Sequence, residues 1–194
     1  MISALILAAG TSSRLGRPKQ LLDLGGKPIL QHVIDAAATA KVDETVVVLG
    51  HEAEEIGARL RLPEGCRVVL NPDYAKGQST SLRAGLSSLG RNVAAAVILL
   101  GDQPDMTAGL IDVMVRAWNE TKPLAARAYF GGAPGHPVVV SRSLWKEVAS
   151  QSGDRGAAGL MDSLGPGVVE VHVGNQPLQD VDTWEQYEEL CHGD

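Results

Sequence analysis

Cysteine is scarce in this chain. Cys66 and Cys191 stand alone, with neither a CxxC pair nor a Cys/His cluster. That pattern excludes a zinc site built on paired thiols and a disulfide framework, and two free thiols suit a reducing compartment. Basic residues are in deficit, 17 Lys and Arg against 23 Asp and Glu, for a net charge of −6. A general nucleic-acid binder would carry a basic face, so that class is excluded, whereas a local basic pocket for phosphates is not. Long apolar runs are missing too. Met1 to Ala9 is apolar, but no basic segment precedes it and polar residues begin at Thr11. It is too short for a signal peptide or a membrane span, which needs about 20 residues, and reads as a buried first strand. The expectation is a soluble, cytoplasmic protein with no membrane or nucleic-acid partner.

Aromatics are few as well, three Trp, three Tyr and one Phe, whereas glycine is abundant at 22 of 194 residues. Glycine-rich, aromatic-poor chains with many small aliphatics suit short strand-to-helix turns, as in α/β proteins. A chain of this length buries roughly 70% of its unfolded surface and needs no metal or disulfide to hold a core. No repeat, low-complexity run or linker interrupts it, so residues 1–194 are read as one domain.

Strands and helices alternate. Ile2 to Ala8 is apolar but for Ser3, as a strand buried on both faces should be. Pro28 opens a helix to about Lys41, with Ile29, Leu30, Val33, Ile34 and Ala37 on one face. Glu44–Leu49 and Arg67–Leu70 read as strands, and Glu52–Leu62 and Ser79–Leu89 as helices. Val93–Leu100 is the strongest strand, and Thr107 caps a helix through about Glu120. Beyond it, strands are expected at Pro137–Val140 and Val168–Val173, and helices at Ser143–Ser150, Gly156–Leu164 and Thr183–Leu190. The fold class is α/β: one Rossmann-like, doubly wound, mostly parallel sheet flanked by helices. Such sheets bind ligands beyond the carboxyl ends of their strands, and the unusual loops follow the first and fourth of these strands.

The first strand runs into Leu7-Ala8-Ala9-Gly10-Thr11-Ser12-Ser13-Arg14, continuing to Lys19 and Gln20. Small residues let backbone N–H groups approach a phosphate and form an anion-binding concavity. Arg14 adds a planar fork of donors and Lys19 a point charge. The pattern is neither GxxxxGK[ST] nor GxGxxG. The plainer alternative is a flexible surface loop with two solvated cations.

Leu7 to Leu22, LAAGTSSRLGRPKQLL, resembles the signature LAAGxSxRxGxxKxLL of the MobA-like nucleotidyltransferases, and among them is most like the molybdenum cofactor cytidylyltransferases. The resemblance implies a nucleotide-diphospho-sugar transferase type of fold and a loop that wraps a triphosphate. Gly10, Arg14 and Lys19 match its glycine and its two basic residues. Arg14 and Lys19 would stabilise charge on the α-phosphate and pyrophosphate, making them, with Asp102, the candidate catalytic residues. Ala8-Ala9-Gly10 leans toward CTP, since guanylyl relatives more often carry AGG.

Gly101-Asp102-Gln103-Pro104 follows the strongest strand. On its own it is compatible with a simple turn; by resemblance it is the family's GDxP metal segment. Mg²⁺ on an NTP needs only one or two protein carboxylates, and Asp102 is the first-choice ligand. Gln179 to Glu185 resembles the family's DIDTPEDL segment, with Trp184 in place of proline. Asp180 and Asp182, alternating on an expected strand, would face one side, with Asp182 preferred as the second ligand. Capping of the last helix by Thr183 is the alternative.

Three further segments match by resemblance. Asn71, Gly77 and Ser81 belong to a stretch like the family's SLRAGL segment, which contacts base and ribose, although Ser79 or Ser81 would serve equally as a helix cap. Gly135-His136-Pro137 is similar to the family's RGHPVLF turn on the acceptor side; a structural histidine is the alternative. Ser152 to Ala157 resembles GDxGAR, with Ala158 where arginine is common. The implied activity is Mg²⁺-dependent transfer of CMP from CTP to a phosphorylated acceptor, molybdopterin above all, with a molybdoenzyme or its chaperone as partner. Guanylyl, sugar-phosphate or choline-phosphate transfer, and a non-catalytic nucleotide-binding accessory role, are the rivals. No Ser/His/Asp or Cys/His set is present for covalent chemistry.

Overall fold

The computed structural model describes residues 1–150 and 156–192. Strand β1 (Ile2–Leu7) is buried at all six positions, and Ser3, its one polar residue, donates its hydroxyl to Glu44 Oε1 at 2.9 Å. A 3₁₀ turn at Lys19–Leu21 and a small antiparallel pair, β2 (Asp23–Leu24) with β3 (Lys27–Pro28), lead into helix α1 (Ile29–Thr39). Then follow β4 (Glu44–Leu49), α2 (Ala53–Arg59), β5 (Cys66–Leu70), α3 (Gln78–Ser88) and β6 (Ala95–Leu100). The second half holds α4 (Ala108–Thr121), β7 (Ala125–Phe130), β8 (Ala133–Ser141), α5 (Trp145–Ser150), α6 (Gly156–Leu164), β9 (Val168–Gly174) and α7 (Trp184–His192).

The main sheet has seven strands in the order β5-β4-β1-β6-β8-β7-β9. It is mostly parallel; only β8 runs against its neighbours β6 and β7. Alternate residues of β1 serve opposite faces. Ala4 and Ile6 pack with Leu30, Val33 and Ile34 of α1 and with Ile111 and Met114 of α4. Leu5 and Leu7 pack with Leu82 and Leu86 of α3, Val148 of α5 and Leu160 of α6. The chain winds outward from β1 through β4 to β5, then returns along α3 to place β6 on the other side of β1. That reversal opens a crevice at the carboxyl ends of β1, β4 and β6.

Most elements match the sequence pattern within a few residues, and Thr107 caps α4 by accepting from the Leu110 N–H at 3.2 Å. Three expectations need correction. Strand β7 was not foreseen, because Ala-Ala-Arg-Ala-Tyr-Phe carries no strong alternation; Gly131 (φ 58°) and Gly132 (φ 90°) join it to β8 as a two-residue hairpin loop. Asp180 and Asp182 lie in no strand; the segment crosses the loop after β6, where Asp102 O accepts the Val181 N–H at 3.1 Å and Gln103 Nε2 donates to Asp180. No side chain caps α3; Thr80 Oγ1 donates instead to the carbonyls of Asp73 and Gly77. Among the described residues, no helix is long and apolar enough to cross a membrane.

Candidate active site

The crevice holds a cavity of about 330 Å³, floored by Leu7 to Thr11 from the end of β1 and by Leu100 to Asp102 from the end of β6. Its remaining wall is Lys19, Gln20, Tyr74, Ala75, Gly77, Gln78 and Ser81. Two glycines let the walls meet. A Cβ on Gly101 would lie 2.8 Å from Ala8 Cβ, and one on Gly50 would lie 2.6 Å from Tyr74 Cβ. Gly77, at φ 108°, turns the chain into α3 so that the uncapped N-terminus of that helix faces the cavity.

The loop after β1 presents its donors outward. Among the described residues, the backbone N–H groups of Ala9, Gly10, Thr11, Ser12 and Ser13 find no protein acceptor. Orphan donors on a cavity wall invite an anion. Ser12 sits at φ 51°, a left-handed conformation unusual for a residue with a Cβ. Its hydroxyl accepts the Lys19 N–H at 3.0 Å, fixing the start of the 3₁₀ turn that carries Lys19.

Lys19 is the electrostatic centre. Its Nζ lies 2.5 Å from Asp102 Oδ2 and 2.6 Å from Asp182 Oδ1, and its side chain is 14% exposed. Burial alone would lower the pKa of such an ammonium, but the charge of Asp102, with Asp182 assisting, outweighs it and holds Lys19 above the usual lysine value. Asp180 turns away and accepts from Gln103 Nε2 at 2.7 Å. Burial, reinforced by the nearby charge of Asp102, raises its carboxyl above the ordinary value.

The C-terminal segment reaches this centre because α7 is anchored on the loop. Leu15, Leu22, Ile29 and Val181 form a buried cluster under Trp184 and Tyr187. The Arg17 guanidinium lies 5.0 Å from the Trp184 ring centre, and Tyr187 donates its hydroxyl to Asp23 O at 2.5 Å. Asp182 sits immediately before that helix, so docking α7 also positions its carboxylate.

Of the residues singled out in sequence, the structure gathers Leu7, Ala8, Ala9, Gly10, Thr11, Lys19, Gly77, Ser81 and Asp102 around one cavity. Ser12, Ser13, Arg14 and Asp182 line an adjoining recess that shares Gly10, Thr11 and Lys19 with it. Asn71 does not reach either. It is 2% exposed, and its amide donates to Thr80 Oγ1 and Ser81 Oγ, so it fixes the start of α3 from behind. Gly135, His136 and Pro137 stand on β8 past the Ile98–Val138 pairing, toward the end of β6 that bears Asp102, without lining the cavity. Burial, with the Arg127 charge adding to it, pushes the His136 pKa down to about 4. Ser152 to Arg155 lie outside the described residues. Tyr74 and Gln20 carry no sequence signal for this site: Tyr74 opens a short 3₁₀ turn (Tyr74–Lys76) outside the matched segments, and position 20 is left open in the signature.

The donor set suits a hard divalent cation. Two carboxylates from separate segments converge on one positive charge, the Lys19 ammonium, which marks where a cation is stabilised. Among the described residues, no group of three His, Cys, Asp or Glu forms a metal cage. Such a cation would therefore take its remaining ligands from water and a bound ligand.

Comparison with known proteins places these features in a wider group. Residues 4–168 match the model of the MobA-like NTP transferase domain. The chain is 31% identical to nicotine blue oxidoreductase of Paenarthrobacter nicotinovorans over 163 residues, 80% of this chain and 79% of that protein. It is 30% identical to the molybdenum cofactor cytidylyltransferase of Escherichia coli K12 over 141 residues, 73% of this chain and 70% of that protein. The crystal structure of Rv0371C from Mycobacterium tuberculosis H37Rv in complex with manganese superposes with a TM-score of 0.84 at 29% identity, covering 100% of this chain and 99% of the other.

Proposed function

The chain belongs to the MobA-like NTP transferase family, and from that premise we propose that it transfers CMP from CTP to the terminal phosphate of a small phosphorylated acceptor, molybdopterin first among candidates. The observation that carries this reading is Lys19 held between Asp102 and Asp182 beside a loop in which, among the described residues, the N–H groups of Ala9 to Ser13 find no protein acceptor. Such a site is built for a polyphosphate with its counter-cation.

In this reading the N–H groups from Ala9 to Ser13 receive the triphosphate, and Arg14 and Lys19 neutralise charge on the α-phosphate and the departing pyrophosphate. Ser81, Gly77 and the N-terminus of α3 hold the ribose and base. Asp102 and Asp182 are the residues that would hold Mg²⁺, which supplies charge neutralisation at the phosphates when bound. A phosphate oxygen of the acceptor attacks the α-phosphorus, the bond from that phosphorus to the bridging oxygen breaks, and pyrophosphate leaves. The chain contributes placement of the two reactants and a preorganised positive field. His136, held neutral near pH 7, is suited to a hydrogen bond with the acceptor rather than to ion pairing.

Two relatives of nearly equal identity carry names from different reaction classes, so the assay must separate them. Purified protein is incubated with Mg²⁺, each of the four NTPs and, in turn, molybdopterin, sugar phosphates and phosphocholine, with pyrophosphate release and product mass as readouts. Parallel reactions contain NADH or NADPH. Cytidylylated molybdopterin is the expected product. GTP preference would move the reading to guanylyl transfer, and tight nucleotide binding without turnover on any acceptor would replace it with an accessory role.

A further inference from the structure

We infer that Gln20 is the positioning residue of the phosphate loop, a template whose side-chain amide turns the backbone donors of that loop toward the ligand. The inference rests on the reading of the loop as a triphosphate site and adds a residue that the family signature leaves open.

Gln20 is 2% exposed, a neutral amide buried between the loop and the sheet. All of its hydrogen-bonding capacity within reach of the loop is spent on the loop. Nε2 donates to Ala8 O at 2.9 Å and to Gly10 O at 3.3 Å. Oε1 accepts from the Ser12 hydroxyl at 3.3 Å. In a trans peptide the carbonyl of one residue and the N–H of the next point in opposite directions. Drawing the Ala8 and Gly10 carbonyls toward Gln20 therefore turns the N–H groups of Ala9 and Thr11 away from that side chain, in a cavity that Ala9, Thr11 and Gln20 all line. Between them, Ala9 O accepts the His51 N–H at 3.4 Å, which holds the intervening carbonyl toward the β4 side. The Ser12 arm supports the left-handed backbone at that residue. Its hydroxyl also accepts the Lys19 N–H, so one side chain couples the shape of the loop to the placement of the lysine beside it.

A residue that merely filled space would be replaceable by an apolar side chain of equal length. A template would not, because two carbonyls would lose their donors and the loop would be free to rotate its N–H groups out of line. The loss should be confined to the phosphate end of the ligand.

The test compares wild type with Gln20→Met, which keeps length and removes every hydrogen bond. Binding of CTP, inorganic triphosphate and cytidine, the nucleotides with Mg²⁺, is measured by calorimetry, and unfolding is followed in parallel. Expected are losses of roughly 10-fold or more for CTP and triphosphate, the scale of one to two net hydrogen bonds, with cytidine affinity unchanged. Gln20→Glu, which keeps an acceptor for Ser12 but removes the donor and adds a like charge, should lose more. Should Gln20→Met fail to fold, Ser12→Ala, which removes the Oε1 arm together with the acceptor of the Lys19 N–H but leaves the bonds to Ala8 O and Gly10 O, should show a loss of the same selectivity. A drop in melting temperature with unaltered triphosphate affinity would overturn the inference, as would equal losses for all three ligands. If wild type itself binds neither CTP nor triphosphate, it is the triphosphate reading of the site that fails.

Discussion

A lysine in contact with two carboxylates has to be stabilised by them more than burial costs it, and Lys19 is. Its charge therefore persists throughout the working range of pH, and in the proposed function it turns to the polyphosphate when the two carboxylates hold Mg²⁺. Removing one preorganised electrostatic partner costs on the order of 100-fold in turnover. Lys19→Ala and Arg14→Ala should each fall by that much or more in steady-state pyrophosphate release, and near-normal rates in both would be incompatible with the proposed chemistry. His136 makes a separate prediction about pH. Its folded pKa of about 4 lies below its unfolded value of 6.5, so between those limits the unfolded chain binds a proton that the folded chain refuses. Stability then rises with pH across that window and is lost as pH falls from 6.5 toward 4. His136→Gln should flatten that part of the melting-temperature profile while leaving the values above pH 7 alike; an unchanged slope would refute the assignment.

At the scale of elements, the contact between α3 and β1 is the most exacting, because the helix lies close enough for its backbone to touch a strand side chain. A Cβ on Gly85 would fall 2.3 Å from Leu5 Cδ1, and Leu5 is fully buried with no room to turn aside. Gly85→Ala should destabilise by about 1–3 kcal/mol through overpacking, against a propensity gain of about 1 kcal/mol. Gly57→Ala in α2, where the nearest atom is Leu49 Cδ1 at 4.0 Å, should keep the propensity gain and melt slightly higher. If the two variants shift in the same direction, the packing account is wrong. The elements also differ in how plainly the sequence announced them. The largely apolar runs at β1, β4 and β6 read as buried strands, because their few polar residues, Ser3, Glu44 and Thr45, do not alternate to mark a solvent face. β7 carried Arg127 among alanines and was passed over, although the Gly131-Gly132 pair was a usable hairpin signal. The Asp180 and Asp182 pair looked like an alternating strand, yet it crosses the loop after β6, where Val181 bonds to Asp102 O.

Across the whole molecule, the sequence by itself determined the layered α/β plan, since short apolar strands alternating with helical periods can bury their faces only against one another. It also pointed to the loop after β1, where glycine, small hydroxyls and two cations directly after a buried strand concentrate donors, and that loop does line the cavity at the open end of the sheet. It left Asn71 among ligand contacts, because a buried amide and an exposed one are written with the same letter. What only the tertiary structure decided are the partnerships. Lys19 meets Asp102 across 83 residues and Asp182 across 163, while Asp180 turns to Gln103. Gln20 acquires its place only when its amide is enclosed with the carbonyls of Ala8 and Gly10. Periodicity and local motif are properties of neighbouring residues and survive in the string of letters; burial and the direction of a donor arise from segments far apart in sequence, and exist only once the chain has closed on itself.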